Sequence, residues 1–536
     1  YATLIGRVTG YTSTAYLTAD GTYKENAEQS RLSKQYTYGL FVQDSWRVSP
    51  GFTVNYGIRW QPQTAFTVLS GNYARLSSFA DLWGVSGEGN IFKPGTLTGK
   101  VPTAVGIPIG EKAYKDDWNN LAPTVGVVWS PNFGDSGFLK TIFGGSGKSV
   151  FRGGYSISYV REGFNLLDSI LASNPGGTLS ASRSSTVGTF TIGTNLRDPI
   201  NPNLSANPFS ATPAYPITLT TANSANAFGP NVTTGAVHSY SFGYQRELDS
   251  STVIEVRYVG NMGRGLQRQY NLNEFNTIEN GFAAEFSKAQ SNLYLNKAAG
   301  KGNTFAYFTD VVGSQQLPIM MAYFNSAATY DPTNPARYTS TNFANSTLVA
   351  SLSTLAPNIG TFSGANFESN ATRRANAIAN GLPSNFFYAN PTVPANAYIV
   401  DNSNKTWYNS AVLEVRRRLS QGLRVQASYV FSKAQANAYA SSSAVFAGFT
   451  QRPGGLDLAK NVQAFDVRHV AKFDATYELP FGSGKMLFGN ANSIVNGIIG
   501  GWQIAPTIKW QSGSPFAFGN VQLVGMTVKD LQKEIK

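Results

Sequence analysis

The sequence has no cysteine and only two histidines, His238 and His469, in 536 residues. The first absence excludes disulfides and thiolate metal sites. The second leaves little basis for a zinc site or a histidine-based catalytic site. Charged residues make up only 13% of the chain, against about 25% in an ordinary soluble domain. No run approaches the ~18 consecutive apolar residues of a transmembrane helix. The net charge of +12 points to an anionic neighbour, such as lipid head groups, lipopolysaccharide or an acidic partner. Arg416-Arg417-Arg418 is the one dense basic run, so nucleic acid is not expected as a partner. The chain opens on Tyr1-Ala2-Thr3, without a methionine or a basic signal region, and reads as a mature product or a fragment.

What is abundant is alternation. In 52–61, FTVNYGIRWQ, the even positions are Phe, Val, Tyr, Ile and Trp, and the odd ones are small or polar. Side chains alternate across a strand, so this stretch is a strand with one apolar and one polar face. Residues 36–46 repeat the pattern up to Asp44, and Ser49-Pro50-Gly51 joins the two as a hairpin. Four more pairs follow: 124–129 with 149–160, 239–247 with 252–260, 410–418 with 423–432, and 469–479 with 502–511. A further strand is expected near residues 2–12, which makes eleven. Between hairpins lie long connections at 62–123, 161–238, 261–409 and 433–468, rich in Asn, Ser, Thr, Pro and Gly. Structureless loops this long are uncommon in compact soluble domains. Alternating short turns and long loops describe an antiparallel, up-and-down transmembrane β-barrel with its long loops outside the cell. The expected fold is therefore all-β. Residues 277–299 and 371–380 are expected as short helices on those loops and not as a separate domain.

Tryptophan placement bears on what the apolar face touches. Trp46, Trp129 and Trp502 adjoin short turns, and Trp60, Trp407 and Trp510 lie at the loop ends of strands. Two aromatic girdles are the mark of a lipid-facing barrel. Phe52 to Trp60 spans about 26 Å at ~3.3 Å per residue, or about 20 Å along the barrel normal at a tilt of ~40°. A soluble β-sandwich also alternates, but the Trp placement, long loops and low charge favour lipid. The opposite rows then carry Arg59, Arg152, Arg416, Arg418, Arg424, Lys472 and Lys509, with Glu414, Asp474 and Glu478. Two readings stand for these charges: they pair across strands and solvate the wall, or they guide a solute through a lumen.

No catalytic constellation emerges, so the chain is read as non-enzymatic, without cofactor or metal. FGGSGKS (143–149) has Ile142 where a phosphate-binding loop requires glycine. GNMGRG (260–265) opens no helix, and Asp116-Asp117 reads as a solvated loop pair.

The segments YGLFVQDSWRVSPGFTVNYGIRW, NNLAPTVGVVWSPN, SVFRGGYSISY, QRELDSSTVIEVRYVGNMGRGL, YNSAVLEVRRRLSQGLRVQASYVFSKA and FDVRHVAKFDATYELPFGSGK resemble the TonB-dependent outer-membrane transporters, most of all their Oar-like branch with carboxypeptidase-regulatory-like domains. The resemblance runs through most of the chain. It implies a 22-stranded barrel in a Gram-negative outer membrane, a plug domain, and energy from TonB. No plug and no TonB box is visible here, so both are expected from segments not in this chain, together with further strands. The implied function is uptake or surface binding of a large solute of glycan, peptide or siderophore class. The alternative is a structural or adhesive barrel whose loops bind a polymer or a partner protein.

Overall fold

The computed structural model describes residues 10–25, 27–132, 137–161, 163–184, 210–353, 367–394, 397–437, 445–446, 461–515 and 525–534. Its main sheet is an antiparallel meander of β1 (Leu40–Ser49), β2 (Phe52–Trp60), β3 (Leu121–Trp129), β4 (Ser149–Tyr159), β5 (Ala236–Glu247), β6 (Thr252–Asn271), β7 (Ala397–Ser420), β8 (Leu423–Ala436), β9 (His469–Glu478) and β10 (Gln503–Ile504 continued by Thr507–Gln511). Each strand pairs with its neighbour in sequence. Among the described residues β1 and β10 are the sheet's edges.

The tight turn between β7 and β8 shows how local chemistry sets register. Gln421 and Gly422 both have positive φ, 52° and 77°. Two successive left-handed residues give a turn whose twist matches the flanking strands. Gly260 is required for another reason: a Cβ there would lie 2.2 Å from the Tyr240 ring, which packs over the bare backbone from β5.

Three expectations are corrected or extended. Only the end of the strand expected near residues 2–12 is described, and that end is not part of this sheet. Residues 1–9 lie outside the described residues, and Gly10–Leu17 pairs with Thr178–Ser184 and Tyr23–Glu25 in a separate three-stranded sheet. Its Ala15 and Leu17 pack with Tyr23 in a small core, and alternation alone does not distinguish such a strand from a membrane one. With ten strands, the chain enters β1 and leaves β10 on the same side of the sheet, the side of the long connections.

The second correction concerns length. β6 and β7 are 20 and 24 residues long and run far into the stretch expected as loop. They stay paired through bulges around Gly263, Leu266 and Arg268, which let the ladder continue where the alternation falters. Trp407 consequently sits in mid-strand, opposite Met262 and Gln435, and not at a strand's loop end.

The third extends the reading of the loops: beyond the two short helices expected there, further helices are present and the connections form a packed layer. The connection between β6 and β7 carries helices Phe282–Ala298, Pro318–Phe324, Ser346–Ser353 and Ala371–Ala379 around one core that includes Phe282, Phe286, Leu293, Met320, Phe343 and Phe387. A second core joins Leu82 and Trp83 of the β2–β3 connection to Tyr270, Leu272 and Val393. A third joins Phe66, Tyr73 and Ile107 to Leu167, Ile170 and Phe228 of the β4–β5 connection. Gly300 (φ 72°) and Gly381 (φ 91°) end their helices in the left-handed conformation, as their sequence positions suggest.

Asparagine side chains stitch these layers together. Asn174 donates to the carbonyls of Ala74, Ile170 and Asn226 and accepts from the Asn226 N–H. Asn273 donates to Asn390 and Val393 carbonyls and accepts from the Asn390 N–H. Asn385 donates to Ser86 Oγ and to the carbonyls of Lys93 and Thr96. One carboxamide satisfies both donors and acceptors of irregular backbone, which buried loops otherwise leave unpaired.

Glu285 does comparable work for the helix Pro318–Phe324. Its two carboxylate oxygens accept the N–H groups of Ile319 and Met320, at 2.8 and 2.6 Å. Burial nonetheless pushes its carboxyl up, from 4.5 to about 7, against the pull of those N–H groups and of Lys288. The folded insertion therefore holds a proton that the unfolded chain releases between those values. Its stability is full below about pH 4.5, falls as pH rises towards 7, and is flat above. Protease resistance of the segment 272–396 is expected to be higher at pH 5 than at pH 8, and Glu285→Gln should flatten that dependence. An unchanged pH profile in the variant would contradict the assignment.

Candidate functional site: the polar face of the sheet

Cross-strand register carries the division of faces through the whole sheet. One row runs Phe52, Trp129, Phe151, Tyr244, Val256, Leu413, Tyr429, Ala471, Trp510, each residue opposite the next. Nearly every member is large and apolar, and many are exposed: Val256, Leu413 and Trp510 keep 48%, 44% and 56% of their surface. A sheet that exposes such a continuous apolar surface is built for a non-aqueous neighbour. Trp46, Trp60, Trp129, Trp407 and Trp510 all fall on this face. Trp502 adjoins it at the turn side, where its Nε1 donates to the Ile498 carbonyl.

Several polar groups on this face satisfy one another. Asp44 stands directly opposite Tyr56 and accepts from its hydroxyl at 3.1 Å. The two histidines repeat one arrangement: Tyr155 with His238 Nδ1 at 2.7 Å, and Tyr429 with His469 Nδ1 at 2.6 Å. Tyr–His pairs near the loop ends of strands give an amphipathic belt of the kind tyrosine and tryptophan make at membrane interfaces.

The opposite face has a different composition. One row runs Asn55, Gly126, Gly154, Ser241, Val259, Ser410, Ser432. Arg59, Arg152, Arg416, Arg424, Lys472 and Lys509 share this face. Arg418 does not join a row: it lies beyond the last regular pair of β7 with β8, and its N–H donates to the Ser251 carbonyl at the turn end. The register slip between Arg417 and Ser420 removes it from the ladder.

The charges divide into two groups. Glu255 and Glu414 are directly opposite each other, a repulsive placement. Arg416 resolves it, with Nε 2.6 Å from Glu414 and Nη2 3.5 Å from Glu255. Arg424 pairs with Asp474 at 3.3 Å. Arg59, Arg152, Lys472 and Lys509 make no ion pair among the described residues. Lys472 is moreover directly opposite Lys509, like charge against like, with no carboxylate between them. Arg59 borders an open concavity of about 750 Å³ walled on this face by Gln43, Ser45, Asn55, Gly57 and Thr124. Arg416 and Arg424 are thus held in ion pairs, whereas Arg59, Arg152, Lys472 and Lys509 have none among the described residues. Lys509→Glu should convert the Lys472 contact from repulsion to attraction and raise the melting temperature of the sheet. A lowered melting temperature would show that the two amines are held apart.

No group of three or more metal-ligating side chains gathers among the described residues. No helix among them is long and apolar enough to cross a membrane.

The family model of the outer membrane beta barrel domain matches residues 3–530. The chain belongs to the outer membrane β-barrel domain family. Its place is the bacterial outer membrane. No curated protein matches it. Among solved structures, it is similar to the alcaligin outer membrane receptor FauA of Bordetella pertussis, at 8% identity and a TM-score of 0.30, over 90% of this chain and 38% of that one. The Escherichia coli outer membrane transporter YddB gives 8% identity and 0.33, over 92% and 44%. The ferripyoverdine receptor of Pseudomonas aeruginosa gives 9% and 0.29, over 85% and 28%. The chain thus spans less than half the length of each of these solved chains.

Several features escaped sequence reading. Phe138–Phe143 and Ser493–Ile499 are helices at the turn side, in stretches expected only as connections. Their signal was present: Phe138, Leu139 and Ile142, and Ile494 and Ile498, follow helical spacing. The packing that joins separate connections had no such signal, because Leu82 and Trp83 meet Tyr270, Leu272 and Val393 from far along the chain.

Proposed function

We propose that this chain forms part of the wall of a TonB-dependent outer-membrane transporter. Its apolar face meets lipid, its polar face borders a water-filled lumen, and its loop layer captures a solute outside the cell. The observation that carries this reading is the register-locked separation of the two faces across ten strands, with every long connection on one side of the sheet. The four unpaired cations favour solutes with negative charge, since exposed cations lining a passage raise the local concentration of anions. Energy coupling and gating belong to segments outside this chain: a plug, and the region that contacts TonB.

The turn-side helices support the lipid assignment. Phe143 packs against Phe151 and, edge to face, against Tyr244, both on the apolar face, at centroid distances of 5.8 Å. Trp502 holds the C-terminus of Ser493–Ile499 on the same side. Phe138, Ile494 and Ile498 point outward with 76%, 77% and 68% of their surface exposed. Short helices laid against a lipid-facing wall at its turn end suit the interface of the inner leaflet.

A fixed, packed loop layer also suits a receptor or adhesin that binds without transport. Energy-dependent accumulation of ligand separates the two, since adhesion does not need it. Topology has its own test. A cysteine at Val312, in the loop layer, should react with an impermeant thiol reagent on intact cells. One at Ser250, in the β5–β6 turn, should react only after the outer membrane is opened. The reverse pattern would invert the barrel.

A further inference from the structure

A pocket of about 250 Å³ opens in the loop layer beside the helix Ala371–Ala379. Its walls include Tyr323, Glu368, Arg374, Ile378, Pro383 and Pro391. Glu368 is 5% exposed. One of its oxygens accepts from the Tyr323 hydroxyl at 2.9 Å, and the carboxylate makes no ion pair among the described residues. Arg374 lines the same pocket, and its guanidinium likewise has no ion-pair partner there. The two side chains do not contact each other, although burial, which raises the Glu368 carboxyl, is opposed by the Tyr323 hydrogen bond and by the charge of Arg374. A buried carboxylate within the field of an arginine, yet unpaired with it, is costly unless something else satisfies both. The remaining walls are mainly aliphatic and proline surface, with Ser384 and Thr392 among them.

We infer that this pocket binds a small zwitterion, its ammonium group on Glu368, its carboxylate on Arg374 and its apolar body against Ile378, Pro383 and Pro391. Free amino acids with aliphatic side chains have this chemistry. Size argues the same way. Drug-sized ligands occupy roughly 300–1,000 Å³, so a glycan chain or a siderophore does not fit inside. The inference does not depend on transport, since binding is read on the isolated protein.

The test is calorimetric titration of the purified full chain in detergent with L-leucine, leucinamide and N-acetyl-leucine. Leucine should bind. Leucinamide lacks the carboxylate and N-acetyl-leucine lacks the ammonium, and each should bind at least tenfold more weakly. Glu368→Gln keeps an acceptor for the Tyr323 hydroxyl but removes the charge, and should weaken leucine binding tenfold or more. Arg374→Met should weaken leucine while leaving leucinamide unchanged. The analogue series on the unaltered protein stands even where a variant fails to fold. The inference is overturned if leucine does not bind at millimolar concentration, if it binds no better than both analogues, or if Glu368→Gln binds it as tightly as the unaltered protein.

Discussion

Replacing Leu413 with arginine is expected to cost the barrel about 2–4 kcal/mol, the depth-dependent penalty for a cation on the lipid face near mid-membrane. Leu413 stands between Val256 and Tyr429 on the apolar face, with no acid beside it to take up the charge. Tyr56, which also lies on this face, is a poorer site for the experiment. Its opposite neighbour is Asp44, and an arginine there would gain a partner. The matched control is Ser241→Arg on the polar face, between Gly154 and Val259. It adds the same charge at a site proposed to be wet and should cost far less. Reversible denaturation of both variants in lipid gives the comparison. Equal costs would remove the lipid assignment.

The second large effect is expected at Asn174. Its side chain links the β2–β3 connection, through Ala74, to the β4–β5 connection, through Asn226, while 4% exposed. Alanine at this position leaves buried carbonyls and the Asn226 N–H without partners. Each such group costs about 1–3 kcal/mol, so local stability of the third loop core should fall by roughly 3 kcal/mol or more. The strands beneath should hold, because none of these bonds lies in the main ladder. Amide exchange in Ala74–Leu76 and Ala225–Phe228 should accelerate a hundredfold or more, while exchange in β6 and in β7 beyond Ala397–Val400, the stretch that pairs with Ala225–Phe228, stays as it was. Uniform acceleration through the strands would mean that the loop layer and the sheet unfold as one unit.

The contrast between strands and loops shows what the sequence made legible. Strand alternation is a local signal with a period of two, and one buried or lipid-facing side is enough to display it. The hairpins at 36–61, 239–260 and 410–432 were therefore readable, along with the face on which Arg59, Arg416 and Lys472 fall. Two things blurred it. Gly10–Leu17 alternates because it packs Ala15 and Leu17 on a small core, and a strand in a loop sheet looks the same as one in a membrane. The outer halves of β6 and β7 alternate poorly because bulges at Gly263 and Leu266 break the phase. The loop layer was legible only in part: the helices expected at 277–299 and 371–380 are Phe282–Ala298 and Ala371–Ala379, but the packing between distant connections was not readable. In sequence, nothing marks Asn174, Asn273 and Asn385 among the many asparagines of the long connections. In the structure they are buried fasteners, and only the path of distant backbone shows it. Glu368 and Arg374 were invisible for the same reason: their meeting point depends on Tyr323 and Pro391, which lie far from them in sequence.

The absence of native cysteine makes the central claim directly measurable. Single cysteines placed at successive positions from Val253 to Val259 in β6, in the outer membrane, can be titrated with a membrane-impermeant, water-soluble thiol reagent, and their lipid contact read from a nitroxide attached at each site. Water accessibility should alternate, high at 253, 255, 257 and 259 and low at 254, 256 and 258, with lipid contact in opposite phase. Uniform water accessibility along the strand, or alternation in the reverse phase, would contradict a wall with lipid on the Val256 side and water on the Glu255 side.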